Sequence, residues 1–341
     1  MKSLFLFIGS LLFASSSALA DFATYTKDSF ALAQKNNEKI LLHFSADWCP
    51  TCRAQKSTFA ELEKMGLLKG IVLLTADYDK EEELKKQLKV THQSTLIAFY
   101  GAVETGRATG QTSKEDLSGF VHKNLISLTL KDQLRLMTEA SAQKIPPEKR
   151  KVMDEAIEKL RATQLEAKAL KVGQAFPAFD LKNSDGKKVT LKQLLKTGPV
   201  VISFYRGSWC PYCNAQLSDF QKHLTEIKSH GATLIGVTPE KPELEATLKE
   251  GKRLEFEILF DENNKLAGKL GLVYGITPEL KAIYQQFGID LAKTQGNSDW
   301  NLPVPATYVI GKNGKIVFAF VDVDYKKRAD TAEVIGAIPK N

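Results

Sequence analysis

Short apolar runs of β type alternate with charged, amphipathic stretches along most of the chain. Ile40–Ser45 and Ile71–Ala76 read as buried strands. Thr95–Tyr100 and Val103–Ala108, split by Gly101-Ala102, read as a hairpin. Helical stretches fall at Asp28–Asn36, Pro50–Lys64 and Lys80–Lys89, and from Ser113 to Asn124, with Pro50 in a first turn where proline is tolerated. Residues 125–170 are charged and helical in pattern, broken by Pro146-Pro147. Ile157, Leu160 and Leu165 recur there at helical spacing, which favours packing over a free linker. The same alternation then returns. A hairpin is expected around Asn183-Ser184-Asp185-Gly186, and a buried strand over Pro199–Tyr205 with a helix after it to about Ser229. A strand follows over Ala232–Thr238, then paired strands Thr307–Ile310 and Lys315–Phe320 joined by a Lys312-Asn313-Gly314 turn. A last helix follows Arg328, and residues 251–300 read as an insertion.

The order αβαβαββα is that of the thioredoxin fold, and it occurs twice. The expected fold class is therefore α/β: two thioredoxin-fold domains in tandem, each a central mixed sheet flanked by helices. The expected boundaries are a signal peptide at 1–20, a first domain at 21–124, a helical extension at 125–170 and a second domain at 171–341. Lys2, the apolar run Leu4–Ala14 and the small-x-small ending Ser15–Ala20 make the export signal. No other segment has the roughly 20 apolar residues that a membrane span needs, so a soluble exported protein is expected. Hydrophobic content of 43% suffices for ordinary cores, and the net charge of +7 is spread over interspersed lysines and acids. No basic patch with interleaved aromatics points to nucleic acid.

All four cysteines lie in two motifs, Trp48-Cys49-Pro50-Thr51-Cys52 and Trp209-Cys210-Pro211-Tyr212-Cys213. Each motif follows a β-type run and precedes a helix. The first cysteine of each then sits at a helix N-terminus, where the dipole favours the thiolate, the nucleophile of disulfide exchange. A three-residue spacing closes too small a loop to stabilise a domain much, so the pairs read as redox-active. A zinc site built from both pairs is the competing reading. The separate strand context of each pair argues against it, and the scattered His92, His122, His223 and His230 suggest no other metal. Neither a metal nor a cofactor is expected.

Residues 36–112 resemble periplasmic thioredoxin-like domains through Phe44–Cys52 and Gln93–Phe99. Residues 130–341 resemble peroxiredoxin-like proteins of the alkyl hydroperoxide reductase/thiol-specific antioxidant (AhpC/TSA) family. The residues that carry this second resemblance are Leu170–Pro177, Phe204–Cys213, Leu302–Tyr308 and Phe320–Tyr325. The resemblance implies a periplasmic thiol peroxidase fused to the thioredoxin that recharges it, with a membrane thiol-disulfide reductase as the electron donor. Cys49, Cys52, Cys210 and Cys213 would be the catalytic residues. Aligned as a peroxiredoxin, Arg206 takes the place of the family's proline, Cys210 that of its threonine and Cys213 that of its peroxidatic cysteine. Aligned as a thioredoxin, Cys210 is the nucleophile and Cys213 resolves. Both alignments stay open. A protein-disulfide reductase or isomerase without peroxidase activity is the second reading, and a redox-regulated binding protein the third.

Supporting roles are expected for five further residues. His43 stands six positions before Cys49, where thioredoxins carry a buried acid that moves the resolving thiol's proton. The same count in the second domain lands on Phe204, which cannot act as a base. Trp48 and Trp209 precede the first cysteines and are placed to shield the disulfides. Arg206 would lower a thiol pKa and steady a departing peroxide oxygen. Val304-Pro305 fits the cis-proline that faces the cysteine pair in this fold, whereas the first domain has Ser94 at that position.

Overall fold

A computed structural model describes residues 22–339. The expected export signal, residues 1–20, lies outside them. The chain forms two compact units. One comprises the chain up to Phe99 and Glu104–Ser127, the other Tyr100–Val103 and Leu128 onwards.

The first unit runs β1 (Ala23–Thr24), α1 (Lys27–Lys35), β2 (Lys39–Ser45), α2 (Pro50–Lys64), β3 (Ile71–Asp77), α3 (Glu82–Leu88), β4 (Thr95–Tyr100), β5 (Val103–Thr109) and α4 (Lys114–Val121). The sheet order is β1-β3-β2-β4-β5, with β3 parallel to both β1 and β2. β2 is apolar on both faces because both are covered. Ile40, Leu42 and Phe44 join the core beneath α1 and α3, and Leu41 packs with Phe59 and Leu62 of α2. The short β1 is an addition to the order read from the sequence.

In the second unit the helices α5 (Leu130–Lys144), α6 (Pro147–Ala162) and α7 (Leu165–Lys168) come first. Next are β6 (Asp180–Asn183), β7 (Lys188–Thr190), α8 (Leu191–Thr197), β8 (Val200–Phe204), α9 (Pro211–Lys222), α10 (Leu224–Ser229), β9 (Thr233–Thr238), α11 (Pro242–Lys252), β10 (Glu257–Phe260) and α12 (Lys265–Lys269). The chain continues through β11 (Val273–Gly275), α13 (Pro278–Gln286), α14 (Leu291–Gln295), β12 (Asn301–Pro303), β13 (Ala306–Ile310), β14 (Ile316–Val321) and α15 (Thr331–Gly336). The main sheet is mixed, in the order β14-β13-β8-β9-β10-β6-β7. β8, β9 and β10 are parallel, and β13, β14, β6 and β7 are added antiparallel. The chain thus builds the tandem α/β pair of thioredoxin-type domains. Residues 251–300, which read as an insertion, contribute β10 to this sheet, α13, and β11, which forms a two-stranded ribbon with β12 just after them. Ile157 and Leu165 of the helical extension pack with Val304 and Val323.

Candidate active sites

In the first unit β2 delivers the chain to Cys49, which caps α2 with its own sulfur. Sγ accepts the Cys52 N–H at 3.1 Å, and Pro50 opens the helix without wasting a donor. Both thiols are free and buried, at 1% and 0% exposure. Ser94 lies against them, its Oγ 3.1 Å from each sulfur. The serine adopts a left-handed backbone (φ +58°) that few non-glycine residues tolerate, and its N–H donates to Phe44 O. Burial alone would push the Cys49 thiol up. Hydrogen bonds from Cys52, Ser94 and the backbone N–H groups of Cys52 and Thr51 outweigh it and hold Cys49 below the usual cysteine value.

Gln55, one turn further along α2, sets this geometry and has no signal in the sequence. Its Nε2 donates to Ser94 O at 3.1 Å and Gln111 O at 2.9 Å. Its Oε1 is therefore the atom facing His43 Nε2 at 2.9 Å, so that nitrogen carries the ring proton. His43 is fully buried against Phe22 and Phe59 and bonds neither thiol. Burial lowers its pKa to about 4, against the Gln55 bond that raises it. Desolvation thus keeps the ring neutral and weakly basic, whereas a free imidazole at this position could take a proton near neutral pH.

The folded pKa of His43 lies below its free value of 6.5, so the unfolded chain binds the proton more readily. Stability is full above pH 6.5 and is lost as the pH falls toward 4, by about 2 kcal/mol between pH 6.5 and 5. Urea unfolding of the full chain is expected to lose that increment in the wild type and to keep it in His43→Leu.

Trp48 is 59% exposed, and its Nε1 donates to Asp79 Oδ2 at 2.8 Å. It stands at the rim and leaves the sulfurs to be covered by the fold.

The second unit repeats the plan with different neighbours. β8 leads to Arg206, and Cys210 caps α9 with Pro211 in its first turn. Cys210 and Cys213 are free and each only 1% exposed. Arg206 is 2% exposed and points Nη1 at Cys210 Sγ, 3.6 Å away. Its Nη2 donates to Tyr284 Oη, and its guanidinium lies over the rings of Tyr325 and Trp209 at 4.2 and 4.8 Å. Arg328 Nη2 donates to Cys213 Sγ at 3.3 Å, and Nη1 is held by Tyr325 O and Lys327 O. The Nε of each arginine is buried and finds no partner among the described residues.

Two guanidiniums, one per sulfur, separate the two thiols. Burial raises Cys210, but the bond from Cys213 and the charges of Arg206 and Arg328 pull it down to about 5. Burial and the neighbouring Cys210 push Cys213 well above the usual value, against the two arginines. The proton thus rests on Cys213 and the negative charge on Cys210.

Pro305 does not take the cis form expected of it. No cis peptide occurs among the described residues, so Val304–Pro305 is trans. The chain arrives here from the ribbon strand β12, with Val304 N–H bonded to Leu272 O, and enters β13 already extended. The tyrosines at this site also escaped the sequence reading. Tyr284 comes from α13 in the apparent insertion and Tyr325 from beyond β14. An isolated tyrosine carries no spacing signal, and only folding brings both onto Arg206.

Two family models match the chain. The AhpC/TSA family model covers residues 172–319, and the thioredoxin model covers residues 21–123. A protein of Mycobacterium tuberculosis described as a peroxiredoxin is 30% identical over 151 residues, 44% of this chain and 85% of that one. The chloroplastic peroxiredoxin Q of Populus jackii is 34% identical over 109 residues, 31% of this chain. This chain spans only about half, 51%, of the Populus protein's length. Among solved structures, a protein named Trxlp from Edwardsiella tarda is 30% identical, with a TM-score of 0.28, covering 29% of this chain and 95% of its own. The chain belongs to the AhpC/TSA family of thiol-dependent oxidoreductases, as a peroxiredoxin domain with a thioredoxin domain fused ahead of it.

Proposed function

We propose that this protein is an exported, periplasmic thiol peroxidase whose second domain reduces peroxides and whose first domain recycles it. The observation that carries the reading is the split between Cys210 and Cys213. A thiolate at a helix N-terminus, 3.6 Å from a buried guanidinium, is a nucleophile at neutral pH with a cation beside the reacting atom. Cys210 thiolate attacks one peroxide oxygen and the O–O bond breaks. The leaving alkoxide takes a proton and departs as alcohol or water, and Cys210 becomes a sulfenic acid. Cys213 then forms the Cys210–Cys213 disulfide and water is released.

The recycling step is thiol–disulfide exchange. Cys49 thiolate attacks Cys210 Sγ, and Cys213 leaves and takes a proton. Cys52 attacks Cys49 Sγ and expels Cys210, a good leaving group because its thiolate is stable. Fusion raises the local concentration of one domain for the other, provided the geometry lets the sites meet. A membrane thiol-disulfide reductase would then reduce Cys49–Cys52 from outside. Lys2, the run Leu4–Ala14 and the small-x-small ending before Asp21 support export.

Peroxide consumption by the reduced protein tests the reading, and no turnover with either hydrogen peroxide or an alkyl hydroperoxide overturns it. The recycling step has its own test. A Cys52→Ser/Cys213→Ser protein is expected to trap an intramolecular Cys49–Cys210 disulfide, detectable by peptide mapping. The exposed Trp48 beside Cys49 supports a second reading, a reductase of protein disulfides, because it offers an apolar contact for a polypeptide. Insulin reduction without peroxide turnover would favour it.

A further inference from the structure

β14 is an edge strand of the main sheet, and its ladder with β13 ends where Ala306 stands opposite Val321. Beyond that pair the chain has left its strand partner, yet residues 322–328 carry two groups of the second site. The Tyr325 ring lies 4.2 Å from the Arg206 guanidinium, and Arg328 Nη2 donates to Cys213 Sγ at 3.3 Å. A backbone N–H that leaves a ladder and stays buried needs another acceptor.

Part of the hold on this turn is local. Asp324 N–H donates to Asp322 Oδ1 at 2.8 Å, and Lys326 N–H to Asp324 Oδ1 at 3.1 Å. These bonds shape the turn but tie it to nothing outside itself. The outside ties come from the helical extension. Glu166, in α7, accepts the Val323 N–H on Oε1 at 2.7 Å. Arg161, near the end of α6, stands 3.4 Å from the same Oε1 and 3.9 Å from Asp322 Oδ1. Lys326 Nζ reaches Asp154 Oδ1 of α6 at 3.1 Å. Ile157 and Leu165 share an apolar cluster with Val323, and Tyr325 packs against it.

The polar ties are unequal. Asp154 is 64% exposed and Arg161 38%, and ion pairs so open to water contribute little. The Glu166 bond joins a charged acceptor to the N–H of a buried residue, which makes it the strong one. What it holds matters for the cysteines. Arg328 Nη1 donates to Tyr325 O and Lys327 O, so the turn itself carries the guanidinium that meets Cys213. The charge of Arg328 is also among the causes that pull Cys210 down. This clamp joins two stretches that lie on either side of residues 172–319, the part matched by the family model.

We propose that Glu166 is a positioning residue of the second site: by holding the Val323 N–H it seats the 322–328 turn, and with it Arg328 on the cysteine pair and Tyr325 on Arg206. This rests on the reading of Cys210 as the reactive thiolate. The α6–α7 extension is then a working part of the site and not a spacer.

The test uses the full chain, reduced, in a Cys49→Ser/Cys52→Ser background. Ionisation of Cys210 is followed across pH by its rate of alkylation with iodoacetamide, assigned by peptide mapping. Glu166→Ala is expected to move the midpoint up from about 5 by roughly one pH unit, as Arg328 leaves the sulfurs. Alkylation should then fall about fivefold at pH 5 and change little at pH 7, where the thiolate still dominates. A general loosening of the fold would instead change the rate evenly over the pH range, and that result overturns the proposal. Glu166→Gln keeps an acceptor oxygen for the Val323 N–H and is expected to keep the wild-type profile. An alanine variant with the wild-type midpoint overturns the proposal, and so does a glutamine variant that behaves like alanine. Hydrogen exchange in the unaltered chain checks the tie independently of any variant's folding: the Val323 amide should be protected, and exchange there at the free-peptide rate overturns the proposal. Alkylation needs no peroxide, so failure of the peroxidase reading would leave this test standing.

Discussion

Cys210→Ser is expected to abolish peroxide turnover, by about 10³-fold or more, because it removes the attacking atom itself. Cys213→Ser should behave differently: it leaves the first oxidation intact and stops the cycle at the sulfenic acid. Stopped-flow fluorescence of Trp209, packed against Tyr284 and Arg206, gives the readout. The pH profile adds a second check. With Cys210 at about 5, the oxidation rate should be level above about pH 6 and fall tenfold per unit as the pH drops below 5. The opposite assignment, Cys213 as the attacking thiol, predicts a rate that climbs through alkaline pH, since burial and Cys210 hold that thiol up.

Arg206→Met is expected to cost activity on the order of 10²-fold and to leave the fold no less stable. The guanidinium is buried at 2% exposure, and its neighbours are a thiol, a tyrosine hydroxyl and aromatic faces. Its desolvation is repaid only in part by cation–π contacts and the Tyr284 bond. Methionine fills similar volume without that penalty. The loss should appear as a pH midpoint moved up toward the free thiol value and as a slower step at saturating thiolate, from the missing cation beside the oxygen. Thermal unfolding checks the stability half of the prediction.

The same charge arrangement orders the two disulfides. A thiol held below the usual cysteine value stabilises the reduced form of the second pair at pH 7. Reduced sites stabilised in this way are the oxidising ones. Cys49 is held down by hydrogen bonds, from Cys52, Ser94 and backbone N–H groups, with no guanidinium among those causes. This difference favours electron flow from the first pair to the second, the direction that recycling requires.

Much of the architecture was legible beforehand because it rests on local order. β2 and β8 are continuous apolar runs, and they proved to be central strands covered on both faces. The Trp-Cys-Pro sequence placed each first cysteine at a helix cap, where Cys49 and Cys210 are found. Arg206 was singled out four residues before Cys210, and its side chain does reach that sulfur. Pro305 misled because a Val-Pro dipeptide shows where a proline lies and not which isomer the fold selects. His43 misled because its position along β2 is local, whereas its titration depends on burial against Phe22 and Phe59 and on the Gln55 amide.

By itself the sequence determined that two cysteine pairs sit at two strand-to-helix junctions in two like-patterned domains, since hydrophobic periodicity and helix capping act over a few residues. Which cysteine of the second pair holds the charge was decided only by the tertiary structure. That choice depends on burial and on Arg206 and Arg328, which lie far apart in the sequence and meet at the two sulfurs only in the folded chain. A thiol pKa is set by desolvation and by charges within a few ångströms, and those distances exist only in the folded chain.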